Sequence, residues 1–183
     1  MFSIVMARRR ILRVRDAGIL TPYLDAAGTQ QGIPAYTTAA LSHRYRALAQ
    51  TSATPAIPNS ILTTLAFDGA DIYDVGNLHS PTVSNTRMTV PAGSGNGAWL
   101  LVGSVTWANN VAGIRELAVF KNGSLMPGTY SQRLATGVTP DAMQTTACDS
   151  SPNPGDYYEI VVGQSSGGNL NVNEATFLAV NIW

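Results

Sequence analysis

With one cysteine, Cys148, the chain can form no intrachain disulfide and no cysteine-based metal cluster. Histidine is almost as scarce, at two residues, His43 and His79. A nucleophilic triad needs nucleophile, base and orienter within hydrogen-bond reach, and no G-x-S-x-G elbow is present, so no enzyme is expected. His79, followed by Ser80 and near Asp74 in sequence, is the one place to look for such chemistry. No apolar run approaches the roughly 18 residues of a membrane span, so no membrane insertion is expected. The apolar opening of residues 1–7 is shorter than a signal h-region and precedes its arginines instead of following them, which argues against a secretion signal. Charge is sparse at 12%, against 45% hydrophobic residues, so repulsion does not hold the chain open.

The 17 glycines and 10 prolines supply turns in abundance and point to a β-rich protein. A formal net charge of zero hides an asymmetry: residues 1–60 hold seven Arg against Asp16 and Asp25, and residues 61–183 hold four basic and nine acidic residues. The cluster Arg8, Arg9, Arg10, Arg13 and Arg15 is short and interrupted by Ile11, Leu12 and Val14. That pattern favours docking on a protein over binding nucleic acid.

Composition divides the chain into a docking arm, residues 1–57, and a β domain, residues 58–183. In the arm, Thr37 to Gln50 places Leu41, Tyr45 and Leu48 at i, i+4 and i+7, which predicts a short amphipathic helix. These three residues join the arginines as docking candidates. Thr51 to Asn59 carries two prolines among small polar residues and reads as an extended linker.

After it, short β-branched and apolar runs alternate with Gly, Asn, Pro and Asp. Strands are expected at residues 61–67, 86–90, 98–108, 114–121, 129–134, 143–148, 157–164 and 175–183, about eight, as in a jelly roll. Asn122-Gly123 is the strongest turn signal, because a type I′ turn needs positive φ at both central residues. In the third strand Trp99, Leu101, Gly103, Val105 and Trp107 form a core face. The opposite face, with Leu100 and Val102, is too apolar for water, and in the last strand Leu178, Val180, Ile182 and the terminal Trp183 repeat the pattern. A sheet facing solvent should be polar outside. Leu100, Val102, Leu178, Val180, Ile182 and Trp183 are therefore candidates for an interface between copies of the chain.

Several passages resemble the C1q/TNF-like family, in particular the C1q-like domains of bacteriophage tail and head-fibre proteins. Arg87-Met88-Thr89-Val90-Pro91 followed by Gly97-Ala98-Trp99-Leu100-Leu101-Val102 is similar to that family's T-V-P…G-x-Y-L-V passage. Phe120-Lys121-Asn122-Gly123 resembles its K-N-G hairpin. The run from Pro154-Gly155-Asp156 to Val162 and the closing Ala175 to Val180 resemble two further strands. Phe67-Asp68, Tyr73-Asp74, Gly76, His79 and Asn85 resemble the passage that precedes them in phage versions. The likeness covers residues 58–183 and departs at the inserted loop Ala92 to Asn96 and at Ala179, where Gly is common.

The resemblance implies a ten-stranded jelly roll assembled as a homotrimer. It implies a virion structural protein, anchored by its arm to other head or tail proteins and displayed on the particle. Alternatives are a capsid decoration protein at threefold positions and an adhesin for a host-surface glycan or receptor. For the adhesin, Tyr130, Tyr157 and Tyr158 and the loop Gln164 to Asn173 are candidates to meet saccharide. Asp68, Asp71 and Asp74 are candidate Ca²⁺ ligands, since a hard cation gathers oxygens; the competing reading is solvated turn carboxylates. No other cofactor is expected. Glycines 93, 95 and 97 lack the Lys-Ser/Thr and helix of a phosphate loop.

Overall fold

Alternation decides the architecture. Trp99 to Trp107 buries every second side chain without a break, and Asp141 to Asp149 does the same as far as Ala147, as strands covering a core on one side do. The computed structural model describes residues 23–24, 30–31, 45–94, 97–137 and 140–182. Among them no helix forms, so none is long and apolar enough to cross a membrane. Two units separate, residues 1–43 and 44–183. The first contains one described feature, the antiparallel pair β1 (Tyr23–Leu24) and β2 (Gln30–Gln31).

The second unit is a sandwich of two antiparallel sheets. In chain order its strands are β3 (Arg46–Gln50), β4 (Ala56–Ile57), β5 (Thr63–Thr64), β6 (Tyr73–Val75), β7 (Arg87–Thr89) and β8 (Trp99–Trp107). There follow β9 (Ile114–Lys121), β10 (Ser124–Leu125), β11 (Ser131–Leu134), β12 (Asp141–Asp149), β13 (Tyr157–Gln164) and β14 (Leu170–Asn181). One sheet runs β12-β8-β14-β3-β6, with β4 also on β14; the other runs β10-β9-β13-β5, with β11 on β9 and β7 on β13. All pairings are antiparallel, and β14 lies beside the much earlier β3 and β8, a non-local closure that joins the two ends of the domain.

The expected helix does not extend into the described residues. Arg46–Gln50 is a strand paired along β14, with Leu48 opposite Leu178. Arg, Ala, Leu and Gln all favour helix, but the open edge of β14 offers a full ladder, and Ala47 and Ala49 turn inward to complete burial. Ala56–Ile57, assigned above to the linker, also adds to β14. Leu41 and the arginines of residues 8–15 lie outside the described residues.

The eight expected strands are found, the first shortened to Thr63–Thr64; β3, β4, β6 and β10 are additions. Asn122 and Gly123 adopt φ of 51° and 76°, the turn predicted for that pair, and set Lys121 opposite Ser124. Trp99 and Trp107 are fully buried, and Phe67 meets Phe177 at 5.8 Å between ring centroids at the centre of the core.

Candidate functional site: an apolar sheet face and a polar groove

The register of the β12-β8-β14-β3-β6 sheet sets outward side chains in rows. One row is Thr146, Val102, Leu178, Leu48 and Tyr73; the next is Cys148, Leu100, Val180, Arg46 and Val75. Further along the same strands the outward residues become Gln144, Ser104, Thr176 and Gln50. One half of the face therefore has an aliphatic centre, Leu100, Val102, Leu178, Val180 and Leu48, and the other half is polar. Arg46 lies over the Tyr73 ring at 5.8 Å, at the margin of the apolar half.

Of the predicted interface residues, Leu100, Val102, Leu178 and Val180 come together here, and Ile182 follows them by alternation where its N–H bonds to the Ala98 carbonyl. Trp183 lies outside the described residues. Leu48, expected to dock elsewhere, is in this face. Tyr45 instead packs against the core. Sequence reasoning missed Tyr73 and Val75, since a three-residue edge strand has too few alternations to declare itself.

The three aspartates proposed as calcium ligands have separate employment. Asp68 accepts the Ser52 N–H at 2.9 Å, which lowers its pKa. Asp71 meets Nδ1 of His79 at 2.7 Å. Asp74 caps a turn, its two oxygens taking the N–H groups of Leu78 and His79 at 3.0 and 3.1 Å. Among the described residues no three metal-ligating side chains converge. The His79 side chain is fully buried, edge-on to Phe67, and its Nε2 faces the Asn85 carbonyl at 3.3 Å. It fastens a loop to the core, and among the described residues no hydroxyl is bonded to it.

A charged cluster sits beside the Asn122-Gly123 turn. Lys121 Nζ lies 2.6 Å from Asp149 and 2.9 Å from Asp156, and the Tyr158 hydroxyl donates to Asp149 at 2.9 Å. Burial works against the Lys121 charge, but the two carboxylates outweigh it and raise its pKa. Asp156 is held at about 2, chiefly by the Asn122 amide, then by Lys121 and the Asn153 N–H. Burial and the bond to Asp149 push the Tyr158 hydroxyl far up. Tyr158 was expected at the surface; it is instead a core residue with its polar tip satisfied.

Of the other two tyrosines, Tyr130 is exposed and donates to Glu116, whereas Tyr157 is half-buried beneath Arg87, 4.8 Å from guanidinium carbon to ring centroid. The segment 164–173 is largely structural: Gln164 is buried, donating to the carbonyls of Ile57 and Gly168, and Leu170 to Asn173 belong to β14. A groove of about 490 Å³ opens where the loop from Asn77 to Ser84 meets β7, with Arg87 and Thr89 on one wall and Ser80, Pro81 and Val83 on the other.

No family model matches the sequence, and no curated protein does. Solved structures do match. The globular domain of zebrafish complement 1qA protein superposes with a TM-score of 0.53 at 11% identity, covering 76% of this chain and 98% of that one. Murine APRIL gives 0.56 at 12%, covering 76% and 99%. The PRD1 vertex protein P5 gives 0.56 at 16%, covering 76% and 97%. Residues 45–182 thus form a jelly roll with the C1q/TNF-like fold.

Proposed function

We propose that this chain is a non-enzymatic bacteriophage virion protein, a homotrimer whose jelly roll is displayed on the particle and whose basic N-terminal segment docks it to other head or tail proteins. The observation that carries the self-association is the half-apolar sheet face. Leu100, Val102, Leu178, Val180 and Leu48 stand side by side across three adjacent strands, and Gln144, Ser104, Thr176 and Gln50 follow them along the same sheet. An interface has this anatomy, an apolar centre within a polar rim. The resemblance of residues 67–87 to phage versions of the fold, and the structural likeness to a vertex protein, favour a place on the virion.

Antibody raised to residues 45–183 and applied to assembled particles tests the placement by electron microscopy. Label on capsid or tail supports the reading, and its position separates a head fibre or decoration protein from a tail fibre. Particles that carry no label overturn it. Removing residues 1–43 is expected to leave a folded trimer that no longer incorporates; continued incorporation would refute the docking role of that segment.

A further inference from the structure

Arg87 is held in place without being neutralised. Its Nη2 donates to the Ser84 hydroxyl at 3.0 Å, its guanidinium carbon lies 4.8 Å from the Tyr157 ring centroid, its Nε is buried without a hydrogen-bond partner, and among the described residues no carboxylate oxygen comes within 4.0 Å of its nitrogens. Glu159, directly opposite across β7 and β13, instead accepts from the Thr86 hydroxyl at 3.4 Å. By contrast Lys121 and Arg133 pair with aspartates and Arg115 is buried against backbone carbonyls, while Arg46, over the Tyr73 ring on the other sheet, lies outside any groove described above. A guanidinium held by an aromatic ring and a hydroxyl, with hydrogens to spare on its two Nη groups, is arranged to take a planar carboxylate end-on through two parallel hydrogen bonds.

Besides Arg87 and the buried His79, the groove is lined by no Asp, Glu, Lys or Arg side chain. Asn77, Ser80, Ser84 and Thr89 carry groups that both donate and accept, and Val83, 70% exposed, offers apolar surface beside them. That mixture suits a sugar ring, whose hydroxyls need two-way partners and whose C–H face needs an apolar contact. A single cation suits a carboxylate monoanion better than a phosphate dianion. We propose that the Asn77–Thr89 groove binds a carboxylate-bearing saccharide, with Arg87 gripping the carboxylate. The proposal stands on the groove alone, so its failure would leave the self-association of the opposite sheet untouched.

Titration calorimetry of the full chain with a tetrasaccharide of galacturonic acid tests it, with the fully methyl-esterified tetrasaccharide and a hexaglutamate peptide as comparisons. Saturable binding of the acid is expected, weakened at least about tenfold by esterification, since one charge-assisted pair of bonds is lost. Arg87→Lys, which keeps charge but loses the fork, is expected to weaken binding by a similar factor. Ser84→Ala, which frees the guanidinium and removes one groove hydroxyl without touching charge or core, is expected to weaken it a few-fold; an unfolding scan should show both variants folded at the temperature of the titration. No binding of the acid at millimolar concentration, equal binding of acid and ester, or wild-type binding by Ser84→Ala together with Arg87→Lys would overturn the proposal. Equal or tighter binding of hexaglutamate would replace the saccharide with an acidic peptide.

Discussion

The Asp156 carboxylate links two chain segments, its own turn and the turn at Lys121-Asn122: it bonds the Asn122 amide, the Lys121 ammonium and the Asn153 N–H. Its pKa is depressed to about 2 in the folded protein, against an ordinary aspartate near 3.9 in the unfolded chain. A group of this kind contributes stability that is complete above the unfolded value and is lost as pH falls through the folded one. Asp156→Asn is therefore expected to lower stability at pH 7 by about 2 kcal/mol, the scale of a charged hydrogen bond, and to flatten the loss between pH 4 and pH 2. Urea unfolding across that range measures both. Arg115 makes a second test at this scale. It is fully buried over Trp107, donating to the carbonyls of Asn110, Ala112 and Ile114. Arg115→Ala strands those acceptors and opens a void, so a loss of about 3 kcal/mol or more is expected in the same unfolding assay.

Among the elements, β8 is the spine of its sheet, and Gly103 is its thinnest point. A Cβ there would meet Cδ1 of Ile160 in the facing sheet at 2.4 Å and Cγ1 at 3.2 Å. Gly103→Ala is expected to cost about 1–3 kcal/mol through overpacking. Ile160→Val, which removes Cδ1, should recover part of that loss, so the double variant unfolds at lower cost than the two single losses added together. Strand β8 was legible in the sequence because nine residues of strict alternation leave one solution, and the Asn122-Gly123 turn because its chemistry admits one backbone. Strand β3 was not: RALAQ is five residues of good helix formers, and its strand state comes from pairing with β14, more than a hundred residues away in sequence. The aliphatic outward residues of β8 and β14 could be read as an apolar face, but Leu48 and Tyr73 enter it only through register, which no local pattern encodes. The Arg87 groove was invisible for a related reason. Its walls come from a loop and a strand whose approach is fixed by the burial of Leu78 and His79.

At the scale of the whole molecule, the sandwich buries one face of each sheet and leaves the outward Leu48, Leu100, Val102, Leu178 and Val180 only partly buried. A stable contact between copies needs at least about 1,000 Å² of buried surface, and apolar burial contributes on the order of 25 cal/mol per Å² before association costs are subtracted. A charge placed at the centre of such a contact is desolvated without a partner, so Val180→Asp is expected to dissociate the assembly while the fold survives. Gln144→Asp, on the polar half of the same sheet, is expected to leave it intact. Sedimentation equilibrium of the full chain tests the central claim most directly. The account requires a species of three times the 19.3 kDa chain mass that Val180→Asp converts to monomer; a wild-type protein that is monomeric at micromolar concentration, or a trimer indifferent to Val180→Asp, would contradict it.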